Sequence, residues 1–144
     1  MSRVKDLLTA VAADLNTQTW SIPFTVAPSM VWTQYDRAEG SDLRVLSVPL
    51  YTDPTDLTRL DRESFAQDGR ATVVFEQDVG SDADRVEDIV AAMEAVADRL
   101  AGRRVAGYGP PEVGFYAFEP RVLRTTGVFH GYVDATYPVA SPLG

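Results

Sequence analysis

The stretch from Ser81 to Gly102, SDADRVEDIVAAMEAVADRLAG, constrains the fold more than any other part of the chain. Val86, Ile89, Val90, Met93, Val96, Ala97 and Leu100 recur at three- and four-residue steps and draw one apolar stripe along a helix. Ser81 is the expected N-cap, with Asp84 three residues later in the place of a capping-box acid. Asp82, Asp84, Glu87 and Asp88 load the first turns with the charge that the positive end of the helix dipole favours. Arg99 stands in the last turn, and Gly102 is expected as the C′ residue. A helix with a single apolar stripe must lay it on something, and the β-rich segments on either side are the available surface.

The first of the flanking segments, Ser2 to Asn16, is an amphipathic helix with Val4, Leu7, Leu8, Val11, Ala12 and Leu15 on its buried face. At about 14 residues it is marginal alone and must dock. Asn16 to Ser21 is a polar turn. Phe24 to Tyr35 reads as a strand, bulged or at an edge because Pro28 interrupts it, with Met30 and Trp32 sharing a face. Asp36 to Asp42 is a turn around Gly40. Leu43 to Leu50 is nearly continuously apolar, as in a strand covered on both faces or buried in a subunit contact, and Pro49 ends its pairing. Tyr51 to Asp68 is the least regular stretch; loops beyond ~12–15 residues are uncommon in compact domains and often functional. Arg70 to Val79 is a third strand. After the long helix, Arg103 to Glu112 is a Gly/Pro-rich connector. Val113 to Glu119 and Gly127 to Tyr137 are two closing strands joined by a hairpin connection over Arg121 to Thr126.

The expected fold is therefore α+β: one mostly antiparallel, mixed sheet of about five strands with two helices, in the order α-β-β-β-α-β-β. The 144 residues are expected to form one domain, with residues 50–69 as a long loop or arm and residues 138–144 as a frayed tail. A chain of this length can bury roughly 70% of its unfolded surface, so it needs no staples.

Charge and composition narrow the function classes. The formal net charge of −8 argues against a protein that grips nucleic acid over a broad face, which requires clustered Lys and Arg. The chain has no cysteine, which excludes disulfides and thiolate metal sites. No apolar run approaches ~18 residues, so no membrane span is expected. Arg3, Lys5 and Asp6 with no long apolar run after them do not read as a signal peptide, which points to synthesis and assembly in a cytoplasm.

Few residues carry the pattern of a reactive site. His130 is the sole histidine and sits mid-strand between Phe129 and Gly131, which favours a structural role. An enzyme would need it beside a carboxylate brought in by the fold. The acids Asp78, Asp82, Asp84, Glu87 and Asp88 fail a calcium-loop pattern counted from Asp82, because Val86 falls on a ligand position; helix capping explains them. Gly107-Tyr108-Gly109-Pro110-Pro111 lacks the Lys-Ser/Thr of a phosphate loop and comes after a helix rather than opening one, so it reads as a turn or an intersubunit arm. Asp53 and Asp56 could serve as a carboxylate pair, but Asp53-Pro54 is also an ordinary turn starter, and Ser64 has no visible base. Arg59, Arg62, Arg103 and Arg104 are the local basic exceptions; they serve either surface solubility or pairing with acids of a neighbouring copy. No catalytic residue, metal ligand or cofactor site is expected.

Four features carry a family resemblance: the opening helix VKDLLTAVAADL; the strand, proline and polar arginine-bearing loop LRVLSVPLYTDPTDLTRLDRESF; the strand RATVVFEQDV feeding directly into DADRVEDIVAAMEAVADRLAG; and the aromatic closing segment VFHGYVDATYPV. In pattern and length, over most of the chain, this layout resembles the tail terminator or tail-completion (head–tail joining) proteins of long-tailed bacteriophages. The resemblance implies a virion structural subunit that assembles into a ring, usually a hexamer. The ring caps the tail tube, stops its growth and offers a surface to the head connector, with no cofactor and no catalysis. Its partners would be other copies of itself, the tube protein and a neck protein, with DNA passing through the lumen unbound. A ring of this kind reuses two different patches on each copy. Leu46 and Val48 of the apolar strand, Leu57, Arg59, Leu60, Arg62 and Phe65 of the loop, and Tyr108 of the connector are the candidate interface residues. The alternatives are another ring-forming neck or tail component (head-closure, minor tail or tube protein), or a small ligand-binding α+β domain whose Trp20, Trp32, Tyr108, Tyr116 and Phe118 line a pocket.

Overall fold

A computed structural model describes residues 3–31, 42–49, 68–105, 108–118 and 120–138. The elements run α1 (Arg3–Asn16), β1 (Val26–Pro28), β2 (Arg44–Pro49), β3 (Asp68–Asp78), α2 (Ala83–Ala101), β4 (Glu112–Phe118), α3 (Pro120–Thr126) and β5 (Val128–Pro138). The strands form one five-stranded mixed sheet in the order β1-β2-β3-β5-β4. β1 runs parallel to β2, and the other neighbours are antiparallel. The fold is the α+β layout expected, with a third short helix added.

The two long helices share one face of the sheet. α1 buries Leu7, Leu8, Val11, Ala12 and Leu15. α2 buries Ile89, Ala92, Met93, Val96, Ala97 and Leu100, with Val86 and Val90 partly buried at the margin of the same core. They meet Val45 of β2, Ala71, Val73 and Phe75 of β3, and Phe129, Val133, Ala135 and Tyr137 of β5 in one cluster. Each buried Val, Leu, Ile, Met or Phe among them contributes about 1.5–3 kcal/mol, which is what holds helices that would be marginal in isolation. A charged clasp joins α1 to the end of α2: Arg99 donates from Nη2 and Nε to the Asp14 carboxylate at 3.0 and 3.2 Å, and Arg103 Nε donates to it at 3.1 Å.

Several boundaries differ from expectation for local physical reasons. The N-cap of α2 is Asp82, not Ser81: its carboxylate accepts from the Arg85 amide at 3.1 Å. The chain reaches the helix one residue later because Gly80, at φ +60°, turns it first, and the Val79 and Gly80 amides both donate to the Gly127 carbonyl at 2.9 Å. A carboxylate there gains from the helix dipole as well as from the hydrogen bond. Gly102 is the C-cap itself, at φ −96°, rather than a left-handed C′ residue. The hairpin connection after β4 is a helical turn: Pro120 opens α3, where its missing amide costs nothing, and Gly127 at φ +72° closes it. β1 stops at Pro28, so Ser29, Met30 and Val31 do not extend the strand, and Trp32 to Tyr35 lie outside the described residues. β3 begins at Asp68, two residues ahead of the expected Arg70. Among the described residues no helix is long and apolar enough to cross a membrane.

Candidate functional site

The face of the sheet opposite the helices carries the chemistry. Strand register alone arranges it in three rows across β2, β3 and β5. Arg44, Glu76 and His130 form the first row, Leu46, Val74 and Tyr132 the second, and Val48, Thr72 and Asp134 the third. Side chains two residues apart on a strand share a face, so the rows arise from the pairing without further adjustment. β5 shows this alternation cleanly, with Phe129, Val133, Ala135 and Tyr137 buried toward the helices and His130, Tyr132 and Asp134 half-buried on the other side.

The first row is an ion cluster around Glu76. Arg44 Nη2 lies 2.6 Å from Glu76 Oε1, and His130 Nδ1 lies 3.3 Å from Glu76 Oε2. The Glu76 side chain is 4% exposed, against 25% for Arg44 and 13% for His130. One carboxylate thus serves two nitrogen partners from two flanking strands. In the third row Thr72 Oγ1 donates to Asp134 Oδ1 at 2.5 Å. Burial pushes the Asp134 carboxyl above its ordinary range; the Thr72 hydrogen bond and the Arg70 charge oppose that rise.

The condition set for catalysis is therefore met in part: His130 does stand beside a carboxylate. A Glu that orients an imidazole is the arrangement a general base requires. Here the same carboxylate is also tied to the Arg44 guanidinium at the shorter distance, so its charge is committed to a fixed cation. Sequence reasoning did not bring this histidine and this glutamate together. The available signal was Glu76 itself, a lone charge in the apolar strand segment TVVFEQ, in a chain with a single histidine.

The candidate interface residues separate. Val48 is 1% exposed, buried within its own chain, while Leu46 is partly exposed beside it. Tyr108 is half-buried: its ring packs over Gly69, meets Tyr137 edge-on at 6.2 Å, and has the Arg3 guanidinium 6.0 Å from its centroid. Leu57, Arg59, Leu60, Arg62 and Phe65 lie outside the described residues, as do Asp53, Asp56 and Ser64. The Gly/Pro connector is fastened to the sheet, with the Gly109 amide donating to the Pro138 carbonyl at 2.7 Å. Arg103 is paired with Asp14 of its own chain, and Arg104 is exposed.

Other motifs find local uses. Asp82 caps α2, while Asp84, Glu87, Asp88, Glu94 and Asp98 are exposed along its outer side. The helix arginines turn away from that side, Arg85 donating to Gln77 at 2.8 Å and Arg99 to Asp14. Among the described residues no three of His, Asp and Glu converge as a metal site. Trp20 stacks on Phe24 at 5.5 Å and donates to the Leu15 carbonyl, near the end of α1, whereas Tyr108 lies over its start.

No protein-family model matches the chain, and no curated protein matches it in sequence.

Proposed function

We propose that this chain is a virion structural protein that forms a ring capping the tail tube of a long-tailed phage and joins the tail to the head connector, a tail terminator. The observation that carries the reading is the layout: an opening helix, three strands, a long helix fed directly by the third strand, and a closing strand pair, with both long helices on one face of a mixed sheet. That is the arrangement the sequence resemblance implies. The outer side of α2 supports it in charge. Five carboxylates project there with the arginines drawn inward, a surface that repels a phosphate backbone and would let DNA slide past unbound. In the ring this side faces the lumen, and the protein works in the virion at the tail–neck junction after assembly in the host cytoplasm. It acts with no cofactor and catalyses no reaction; its partners are its own copies, the tube protein and the connector.

Solution mass tests the proposal. Light scattering over a concentration series, with and without isolated tail tubes, should give a particle near six times the 15.7 kDa chain or a cap at one tube end. A monomer that ignores the tubes at every concentration would sink the reading. The Glu76–His130 contact favours one second reading, a general acid–base centre on the sheet face opposite the helices.

A further inference from the structure

We propose that Asn16 and Pro28 close the β1 edge of the sheet against strand addition by a second copy of this chain. β1 ends the sheet among the described residues. An edge strand offers a row of backbone donors and acceptors to any other strand, the same strand of a second copy included. In β1 the backbone groups alternate. Ala27 stands opposite Leu46, and the Ser29 amide donates to the Ser47 carbonyl at 2.9 Å, so the odd-numbered residues face β2. Val26 and Pro28 consequently face outward.

Val26 has both its backbone groups taken, and Pro28 lacks one of the two. The Asn16 side-chain amide takes both groups of Val26: its Nδ2 donates to the Val26 carbonyl at 2.9 Å, and its Oδ1 accepts from the Val26 amide at 2.8 Å. A carboxamide presents one donor and one acceptor side by side, as the backbone of a pairing residue does. Asn16 thus fills the place of the next strand with a group that cannot propagate it. Pro28, one step along, has no amide to offer. The block matters because Met30 and Val31, exposed by 47% and 69%, stand directly after β1 and are the large exposed apolar residues of the described chain. An open backbone edge next to that apolar pair would join two copies about a twofold axis. The device is independent of the ring reading, since ring contacts close on themselves and edge pairing adds a contact outside them.

The test is self-association of folded variants. N16A, checked for native circular dichroism, should show a weight-average mass that climbs with concentration to roughly double that of the wild type at the same concentration. N16A/A27K places a lysine on the exposed Ala27 of the same edge; the mass should return to the wild-type value while the melting temperature stays lowered. If N16A fails to fold, N16S carries the same comparison, because a single short hydroxyl keeps some polar contact yet cannot hold both Val26 groups. Wild-type mass at every concentration for a folded variant would overturn the proposal, leaving Asn16 as a tie between helix and strand. Association that persists in N16A/A27K would overturn it as well, by placing the contact elsewhere.

Discussion

Replacing Glu76 should be the most damaging single change on the sheet face opposite the helices, and its neighbours set the size of the loss. Removing one partner of a fully buried ion pair costs about 3–5 kcal/mol, because the other charge is left without compensation. Glu76 is 4% exposed, but Arg44 keeps 25% of its side chain in contact with solvent and can recover part of its hydration. In E76Q the amide oxygen also remains as an acceptor for Arg44. Together these lower the expected cost to about 2 kcal/mol, and E76L, which removes the acceptor, should cost about 3 kcal/mol. For a chain of 144 residues, 1 kcal/mol corresponds to roughly 3 °C in melting temperature, so E76Q should melt roughly 6 °C lower. Urea titrations should show a lower midpoint at an unchanged slope. The double variant R44M/E76L should recover most of the loss, since apolar side chains of similar size need no partner there; the coupling should exceed about 1 kcal/mol. H130F should cost less than about 1 kcal/mol, because the contact at 3.3 Å is long. If E76Q lies within about 0.5 kcal/mol of wild type, or the R44M and E76L losses simply add, the three residues do not act as a unit and the reasoning fails.

Other sites give independent expectations. At Gly69 a Cβ would lie 2.6 Å from Leu7 Cδ2 and 2.8 Å from Tyr108 Cε1, so G69A should lose about 1–3 kcal/mol by thermal melt, and the same substitution should cost less when made in an L7A background, where the nearer obstacle is gone. Among the described residues the buried Tyr137 hydroxyl has no hydrogen-bond partner; burial, with the Asp14 charge adding to it, holds its phenol well above the ordinary range. Y137F should therefore raise stability by about 1 kcal/mol in urea titrations, and S47A, which removes another buried unpartnered hydroxyl, should be neutral or stabilising. Asp134 holds its proton more tightly folded than unfolded, so its contribution to stability is greatest at low pH and declines as pH rises from its unfolded value of 3.8 through the raised folded one. D134N keeps the acceptor for Thr72, should raise stability at pH 7, and should flatten that part of the pH–stability curve.

What the sequence disclosed and what it withheld divide along the range of the interactions. Burial periodicity is local, so Leu7, Leu8, Val11 and Leu15 of α1, Ile89, Met93, Val96 and Leu100 of α2, and the alternation along β5 were all legible in the residues alone. Element ends were less so, because they depend on competing caps. Ser81 is a good cap in isolation, yet the Gly80 turn hands the position to Asp82, and seven residues of PRVLRTT are too few for a helical period to register. The short β1 was legible only halfway: Pro28 announced an edge, but the carboxamide that completes it comes from Asn16, ten residues back and on a helix. The Glu76 cluster was illegible for a stronger reason. Its partners lie 32 and 54 residues away, and only the register β2–β3–β5 selects them. A one-residue slip of β2 on β3 would carry Arg44 to the helix side and leave Glu76 buried without its guanidinium. The cluster therefore works against misregistration as well as for stability. The charged row and the apolar alternation on the opposite face specify the same pairing, and that agreement between two independent patterns makes one register the preferred one.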